Sequence, residues 1–247
     1  MDSADTTSIL LLILIALAAL LYSSVGHGGA SGYLAAMALL GVAPAVMKPA
    51  ALVLNIFVAG WVAWRLYRAG YFNAHLFWPF ALGSIPLAFV GGLLILPGNF
   101  YRYVVGAALV LAAMRLLVEA RDQSARSVPP PMLAVAVGAV LGFVSGLTGV
   151  GGGIFLSPLL LFLRWADMRH TAALSAIFIL LNSLAGLAGH LAAGADVPAG
   201  LPWMVLAALA GGTVGAELAV RRLAPVRLRQ LLGVVLIVAA AKMFLAA

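Results

Sequence analysis

Two glycine-rich clusters hold the residues best suited to chemistry in this chain. Gly26-His27-Gly28-Gly29 occurs early and Gly149-Val150-Gly151-Gly152-Gly153 occurs late, and each interrupts an apolar run and precedes a short one. A helix that restarts after a break presents unpaired backbone N–H groups and the positive end of its dipole. Such helix starts bind anions. The clusters therefore predict two helix starts that share one anion, and close helix packing through small residues is the alternative.

We expect backbone N–H groups to line this site, because glycine and alanine leave no side chain between the backbone and a ligand. The six residues concerned are Gly28, Gly29, Ala30, Gly151, Gly152 and Gly153. Nearby hydroxyl groups can add donors, although each can equally bond to a carbonyl of its own helix. These hydroxyls belong to Ser31, Thr148 and Ser157.

His27 lies inside the first break, where an ionisable side chain at membrane depth is a functional candidate. Imidazole titrates near neutral pH, so His27 can protonate with the substrate or carry a coupled proton. The alternative is a structural hydrogen bond that closes the loop. Asn55 and Asn182 lie near mid-depth of their helices, and their neutral amides suit anion recognition. Asparagine also joins helices in membranes, which is the competing interpretation.

Three basic residues lie near the starts of equivalent segments and could attract an anion to the mouths of a pathway. Lys48 precedes the third apolar run, and Arg169 and His170 hold the equivalent place in the second half. For Arg169 the competing role is a topology signal. Glu217 precedes Arg221 by four residues, which predicts a helical ion pair. Lying near segment ends, His75, His190 and Arg102 are predicted to be interfacial.

Composition places the chain among polytopic membrane proteins. Hydrophobic residues make up 65% of its 247 positions, charged residues 9%, and mean hydropathy is +1.16. The net charge of +7 does not indicate nucleic acid, because the 14 Lys and Arg sit in short gaps between apolar runs. Cysteine is absent and the four histidines are scattered, so neither a metal nor a cofactor is predicted. The expected partners are the lipid bilayer and a small anion, with a homodimer left open.

Ten apolar segments predict an all-α fold. They cover about residues 8–24, 31–41, 45–65, 75–96, 100–117, 131–147, 154–163, 171–193, 202–218 and 226–244. The two that follow the glycine clusters are too short to span a bilayer. A polar stretch ending in Pro129-Pro130-Pro131 separates two halves. We therefore predict a first membrane repeat over 1–119, a cytoplasmic linker over 120–130 and a second membrane repeat over 131–247.

The halves match one another at a nearly constant offset along the chain. Ala50-Ala51-Leu52 matches Ala172-Ala173-Leu174, and Val90-Gly91 matches Val214-Gly215. If each half is a re-entrant hairpin followed by three crossings, the second copy is inverted. Eleven arginines then share one face and only Lys48, Arg102 and Lys242 face the other, whereas parallel copies split the cations eight against six. The positive-inside rule prefers inverted repeats with both termini outside.

At the level of motifs, the chain resembles the sulfite exporter TauE/SafE family. The resemblance lies in the two glycine clusters, each opening a short apolar run, and in Arg169-His170-Thr171-Ala172 with Asn182 downstream. It implies a bacterial inner-membrane permease that exports sulfite, organosulfonates or related small sulfur-containing anions. The two halves differ at equivalent positions: the first half has His27 where the second has Val150, and Pro49 where the second has Thr171. The halves of the site are therefore not chemically equivalent.

Three other functions compete with a carrier. Channels use the same re-entrant device, and a membrane assembly factor needs no transport at all. Gly29-Ala30-Ser31-Gly32 also matches the Gly-x-Ser-Gly of intramembrane serine proteases, with His190 as a candidate base. The internal repeat is unexplained by a protease, which makes that alternative remote, and the sequence predicts a protein that is not an enzyme.

Overall fold

The computed structural model describes residues 3–117, 127–194, 200–221 and 226–245, and every regular element in these ranges is a helix. The predicted all-α polytopic fold is confirmed. The ten helices are α1 (Ser3–Ser23), α2 (Ala30–Leu39), α3 (Pro44–Arg68), α4 (Ala74–Leu93), α5 (Gly98–Leu117), α6 (Pro131–Thr148), α7 (Gly153–Phe162), α8 (Met168–Ala192), α9 (Leu201–Arg221) and α10 (Val226–Leu245). Five helices, α3, α4, α6, α8 and α9, are long and apolar enough to cross a bilayer.

Local sequence explains where several helices start. Pro44 and Pro131 occupy the first positions of α3 and α6, where a missing N–H costs nothing. The side chain of Asn73 accepts a hydrogen bond from the N–H of Leu76 and caps α4. Asp167 caps α8 in the same way, accepting from two backbone N–H groups of its first turn. These local features fix the first residues of α3, α4, α6 and α8, the helices that surround the two short helices α2 and α7.

The helices pair in a pattern that is unchanged when the two halves are exchanged. Helix α4 packs on α6 as α1 packs on α9, while α3 packs on α8 and α5 on α10. In the α3–α8 pair, Leu66 clusters with Ala173, whereas Leu52 lies beside Gly186. The two equivalent helices therefore run antiparallel, as copies of opposite orientation must.

The two hairpins enter the bundle from opposite ends. Helix α1 runs parallel to α9, with Ala16 against Gly211 and Leu20 against Gly215. Helix α2 then returns, and the carbonyl of its last residue, Leu39, accepts a hydrogen bond from Lys242 near the end of α10. The equivalent hairpin of α6 and α7 follows α4, which runs the other way. The inverted repeat and the periplasmic side of both termini stay predictions.

Small residues bring α4 and α6 into backbone contact. A Cβ added at Gly142 would lie 2.1 Å from the carbonyl oxygen of Ser84, and one at Gly83 would lie 2.0 Å from that of Val135. Close packing between membrane helices uses small residues in this way. Glycines of the two clusters also pack closely, since a Cβ at Gly26 would lie 2.9 Å from Cα of Ala172 and one at Gly153 2.9 Å from the carbonyl oxygen of Ser175, so both roles stay open for the clusters.

Part of the linker predicted over 120–130 lies outside the described residues, which resume at Ser127. There the backbone N–H of Ser127 donates to the carbonyl of Arg164. Glu217 forms its ion pair with Arg65 of α3. The side chain of Arg221, its partner by helical spacing, also lies outside the described residues. The ion pair seen joins α3 to α9, and the predicted pair with Arg221 stays a prediction.

Candidate functional site

Both predicted helix breaks occur, and the last residue of each break is the glycine that immediately precedes the next helix. Helix α1 ends at Ser23 and α2 begins after Gly29, while α6 ends at Thr148 and α7 begins after Gly152. Gly29 has φ +102° and Gly152 has φ +75°, in the left-handed region that favours glycine, and no side chain caps either helix. The starts of α2 and α7 therefore leave their first N–H groups open to a ligand.

The six backbone N–H groups predicted to line the site lack a protein acceptor. All six residues are buried, and within the described ranges none of their N–H groups donates a hydrogen bond to another backbone or side-chain group. Buried N–H groups without a partner are rare, because each loses its hydrogen bond to water. Six such groups at two helix starts indicate a place where a polar ligand or water supplies the missing acceptors.

The two breaks meet at the same pair of side chains. A Cβ at Gly28 would lie 2.6 Å from Oδ1 of Asn55 and 3.0 Å from Cγ2 of Ile179. A Cβ at Gly151 would lie 2.6 Å from Nδ2 of the same asparagine and 2.8 Å from the same isoleucine methyl. Asn55 of α3 and Ile179 of α8 thus stand between the breaks, where the two antiparallel helices cross.

Asn55 is the amide that the fold brings to the breaks. Its Nδ2 donates to Oγ of Ser183 at 3.3 Å and more weakly to the carbonyl of Val150 at 3.5 Å. Its Oδ1 is buried without a hydrogen-bond partner. Asn182, which the family resemblance includes, donates to the carbonyl of Phe178 one turn back in α8. Its role in binding stays a prediction without a contact to either break to support it.

His27 anchors the first break to the second half of the chain. Its Nδ1 lies 3.1 Å from the carbonyl of Val25 and its Nε2 lies 2.8 Å from Oγ of Ser157 on α7. Ser157 in turn lies 2.7 Å from Oγ of Ser175 on α8 and 2.9 Å from the carbonyl of Gly153. The loop-closing hydrogen bond and the functional role are both compatible with this buried network.

The candidate hydroxyl groups are committed to partners. Ser31 donates to the phenol oxygen of Tyr22 at 2.8 Å, and Thr148 donates to the carbonyl of Val144 at 2.7 Å. Thr148 also accepts from the N–H of Val150, which holds the second break. Sequence reasoning missed Ser175 and Ser183, since serine is common on membrane helices and only the crossing of α3, α7 and α8 singles these two out.

Lys48 is largely buried, and its attraction of an anion to the mouth of a pathway stays a prediction. Its side chain is 5% exposed, and Nζ donates to the carbonyls of Gly91, Gly92 and Leu94 at 3.3, 3.0 and 3.1 Å. These carbonyls end α4, so the ammonium caps the negative end of that helix. Lys48 also adjoins the second break, because a Cβ at Gly149 would lie 3.1 Å from its carbonyl oxygen.

Arg169 and His170 form a polar cluster at the start of α8. Nη1 of Arg169 donates to the hydroxyl of Tyr71 at 2.6 Å, and the ring of His170 lies 2.8 Å from Oδ2 of Asp167. Burial of the Asp167 carboxyl favours its neutral form, but hydrogen bonds from His170 and Arg169 outweigh this and lower its pKa below the usual value. The cluster caps α8, and steering of an anion by these residues stays a prediction.

The other chemistries considered find little support. In the described residues no group of His, Asp and Glu is arranged to hold a metal ion. The remote protease alternative pairs Ser31 with His190. Ser31, however, bonds to Tyr22, and both ring nitrogens of His190 lack a hydrogen-bond partner. His190 is also 5% exposed and lies in the last turn of α8, and its interfacial depth stays a prediction.

A multi-pass helical membrane protein with two broken helices meeting at its centre has the architecture of a transporter. The chain belongs to the sulfite exporter TauE/SafE family, whose family model matches residues 11–243. It is also 41% identical over 244 residues to the probable membrane transporter protein y4hK of Sinorhizobium fredii (strain NBRC 101917 / NGR234). That alignment covers 97% of this chain and 99% of the relative. No solved structure matches the chain.

Family and relative thus both indicate an integral multi-pass membrane transporter rather than an enzyme.

Proposed function

We propose that this protein is a secondary transporter that exports sulfite, an organosulfonate or a related small sulfur-containing anion across the bacterial inner membrane. The observation that carries the proposal is the pair of helix starts, α2 and α7, whose buried N–H groups lack acceptors and meet at Asn55. An oxyanion accepts several hydrogen bonds at once, so it suits such a ring of donors. The sulfur chemistry of the proposed substrate comes from the family, the sulfite exporters.

Alternating access is the mechanism that this geometry supports best. The hairpins α1–α2 and α6–α7 enter from opposite ends, and the equivalent helices α3 and α8 run antiparallel between them. Rocking one repeat against the other then opens the same central site first to one end and later to the other. A channel needs a path open to both ends at once, whereas here Asn55 and Ile179 are packed between the breaks.

The hydrogen bonds around His27 are compatible with proton coupling. Ser157 has one hydroxyl proton but three neighbours that can accept or share it. With neutral His27 the hydroxyl donates to Nε2. With protonated His27 the ring donates to Oγ, and the hydroxyl turns to the carbonyl of Gly153. One hydroxyl rotation thus accommodates both protonation states, as a proton carrier requires.

The test is flux in proteoliposomes that contain the purified full chain. Sulfite, ethanesulfonate, thiosulfate, sulfate and acetate are compared with and without a proton gradient. We expect saturable flux of a sulfur oxyanion that falls at least tenfold in Gly152→Leu, whose side chain would enter the second break. His27→Gln keeps a hydrogen-bonding amide but cannot carry a proton, so its flux should lose the response to the gradient.

Two flux results and one labelling result would contradict the proposal. Flux that rises linearly with concentration and never saturates would indicate a channel. No flux of any of these anions would leave an assembly role. Labelling by a fluorophosphonate that disappears in Ser31→Ala would instead favour the protease alternative.

A further inference from the structure

A cavity of about 260 Å³ lies beside the second break, at the end of the bundle where α3 and α5 begin. Its walls come from the starts of α3 and α5, the stretch that follows α4 and the end of α8. The residues used below are Pro44, Lys48, Leu94, Ile95, Tyr101 and His190. The volume suits a ligand of several non-hydrogen atoms, small beside the pockets that hold drug-sized molecules.

His190 is the feature of this cavity that calls for a ligand. Its side chain is 5% exposed, and neither Nδ1 nor Nε2 has a hydrogen-bond partner. A buried imidazole in this position forfeits its bonds to water, which is unfavourable unless something in the cavity replaces them. His190 lies in the last turn of α8, where packing alone could have placed an apolar residue.

The charge of the cavity is positive. Lys48 is one of the residues that line it, and the ammonium group of Lys48 bonds to three neutral carbonyls. None of the described residues that line the cavity is acidic, so no carboxylate there balances this charge. A cation held in a low-dielectric wall attracts an anion more strongly than one in water does. The cavity thus favours a negatively charged ligand.

The remaining walls are apolar. Pro44, Leu94 and Ile95 supply hydrocarbon surface to the cavity. An inorganic oxyanion, which is polar on every side, would lose hydration against such walls without compensation. A small organic anion places its acid group at the basic residues and its short carbon chain on the hydrocarbon.

The cavity also adjoins the central site. The hydroxyl of Tyr101 donates to the carbonyl of Thr148, the last residue before the second break, at 3.0 Å. The backbone of Lys48 touches Gly149 of the same break. Lys48 and Tyr101 therefore lie between the cavity and the second break.

We propose that this cavity is a second binding site, which takes a small organic anion with its acid group between Lys48 and His190 and its carbon chain against Leu94 and Ile95. The site is a waiting position at one mouth of the pathway. The proposal rests on the proposed function for the transport of such anions, but its binding step can be measured without transport.

Calorimetric titration of the purified full chain with propanesulfonate tests the site, with inorganic sulfate as the comparison ligand. The titrations use the Gly151→Ala variant as background, because its added methyl group obstructs the central site. We expect this background to bind propanesulfonate at least fivefold more tightly than sulfate. Adding His190→Leu should weaken propanesulfonate binding at least tenfold.

Gly98→Leu is the second variant. It fills the cavity while leaving both basic residues, Lys48 and His190, in the chain. A Cβ at Gly98 has as its nearest neighbour Cγ of Pro44 at 4.0 Å, so the variant has room to fold. It should weaken binding as much as His190→Leu does. His75→Leu, a change at an exposed histidine of α4, serves as the control and should bind as the background does.

Unchanged propanesulfonate affinity in both His190→Leu and Gly98→Leu would overturn the second site, and so would equal affinity for sulfate and propanesulfonate. Binding that follows the expected pattern in a protein without flux would support the second site while removing the proposed transport. Flux that collapses in Gly151→Ala with binding retained would support both.

Discussion

Substituting Gly151 by alanine tests whether the helix breaks form the binding site. Gly151 has φ +85°, and its new Cβ would lie 2.6 Å from Nδ2 of Asn55 and 2.8 Å from Ile179. An L-residue in the left-handed region is destabilised by about 1–2 kcal/mol. Overpacking in a core adds about 1–3 kcal/mol. Their sum, about 2–5 kcal/mol, is less than most of the usual stability range of about 5–15 kcal/mol.

We therefore expect Gly151→Ala to fold but to displace Asn55 from between the breaks. The purified variant should elute as a single species and unfold at a lower temperature. Its sulfonate flux in proteoliposomes should fall at least tenfold, because the methyl group takes the space of the ligand and moves the amide.

Substitutions at two other glycines separate the effect of backbone strain from the effect of displacing Asn55. Gly28→Ala has an ordinary φ but a Cβ 2.6 Å from Oδ1 of Asn55, so it should lose as much flux with a smaller loss of stability. Gly60→Ala lies within α3, and its Cβ meets only Leu180 at 3.6 Å, an ordinary contact. This control should transport normally and gain about 0.5–1 kcal/mol of helix stability. Wild-type flux in Gly151→Ala would refute the placement of the site at the breaks.

Three further predictions concern the scaffold. Gly142→Ala places a Cβ 2.1 Å from the Ser84 carbonyl oxygen, so it should lower the thermal unfolding midpoint far more than Gly60→Ala does, and equal midpoints would contradict the α4–α6 packing. Glu217→Gln removes a partly exposed ion pair, so it should change stability by less than about 1 kcal/mol, measured by denaturant unfolding, and a larger loss would mean that the pair is buried in the membrane. The Asp167 carboxyl has a pKa lower in the folded than in the unfolded chain, so its charge stabilises the fold above its unfolded pKa of about 3.9 and this contribution is lost as pH falls through the folded pKa. The stability difference between wild type and Asp167→Asn should therefore shrink as pH falls below about 4 in thermal unfolding, and a constant difference would refute the assignment.

Local features were readable from the sequence because they depend on a few neighbouring residues. Glycine clusters break helices through their own backbone freedom, and the breaks occur where the clusters predict them. Prolines at helix starts act in the same local way. Composition decides the membrane class, since each residue contributes to hydropathy independently of the fold. The six residues named as backbone donors are buried in the structure, and their role in binding stays a prediction.

Side-chain partners were harder to predict because the helices are apolar on nearly every face. An amphipathic helix shows which side turns inward, but here lipid and core are equally apolar and the pattern carries no such signal. Asn55 and Asn182 are therefore alike in sequence. The antiparallel crossing of α3 and α8 places Asn55 against Gly28 and Gly151, whereas Nδ2 of Asn182 donates within α8.

The sequence by itself determined the membrane class, the ten helical segments, the two broken helices and, through its motifs, the family to which the chain belongs. Only the tertiary structure decided which distant residues meet. His27 reaches Ser157 and Glu217 reaches Arg65 across more than half of the chain. Lys48 turns inward to cap α4, and His190 faces a cavity. These contacts depend on the rotation of each helix about its own axis, and packing against neighbours sets that rotation.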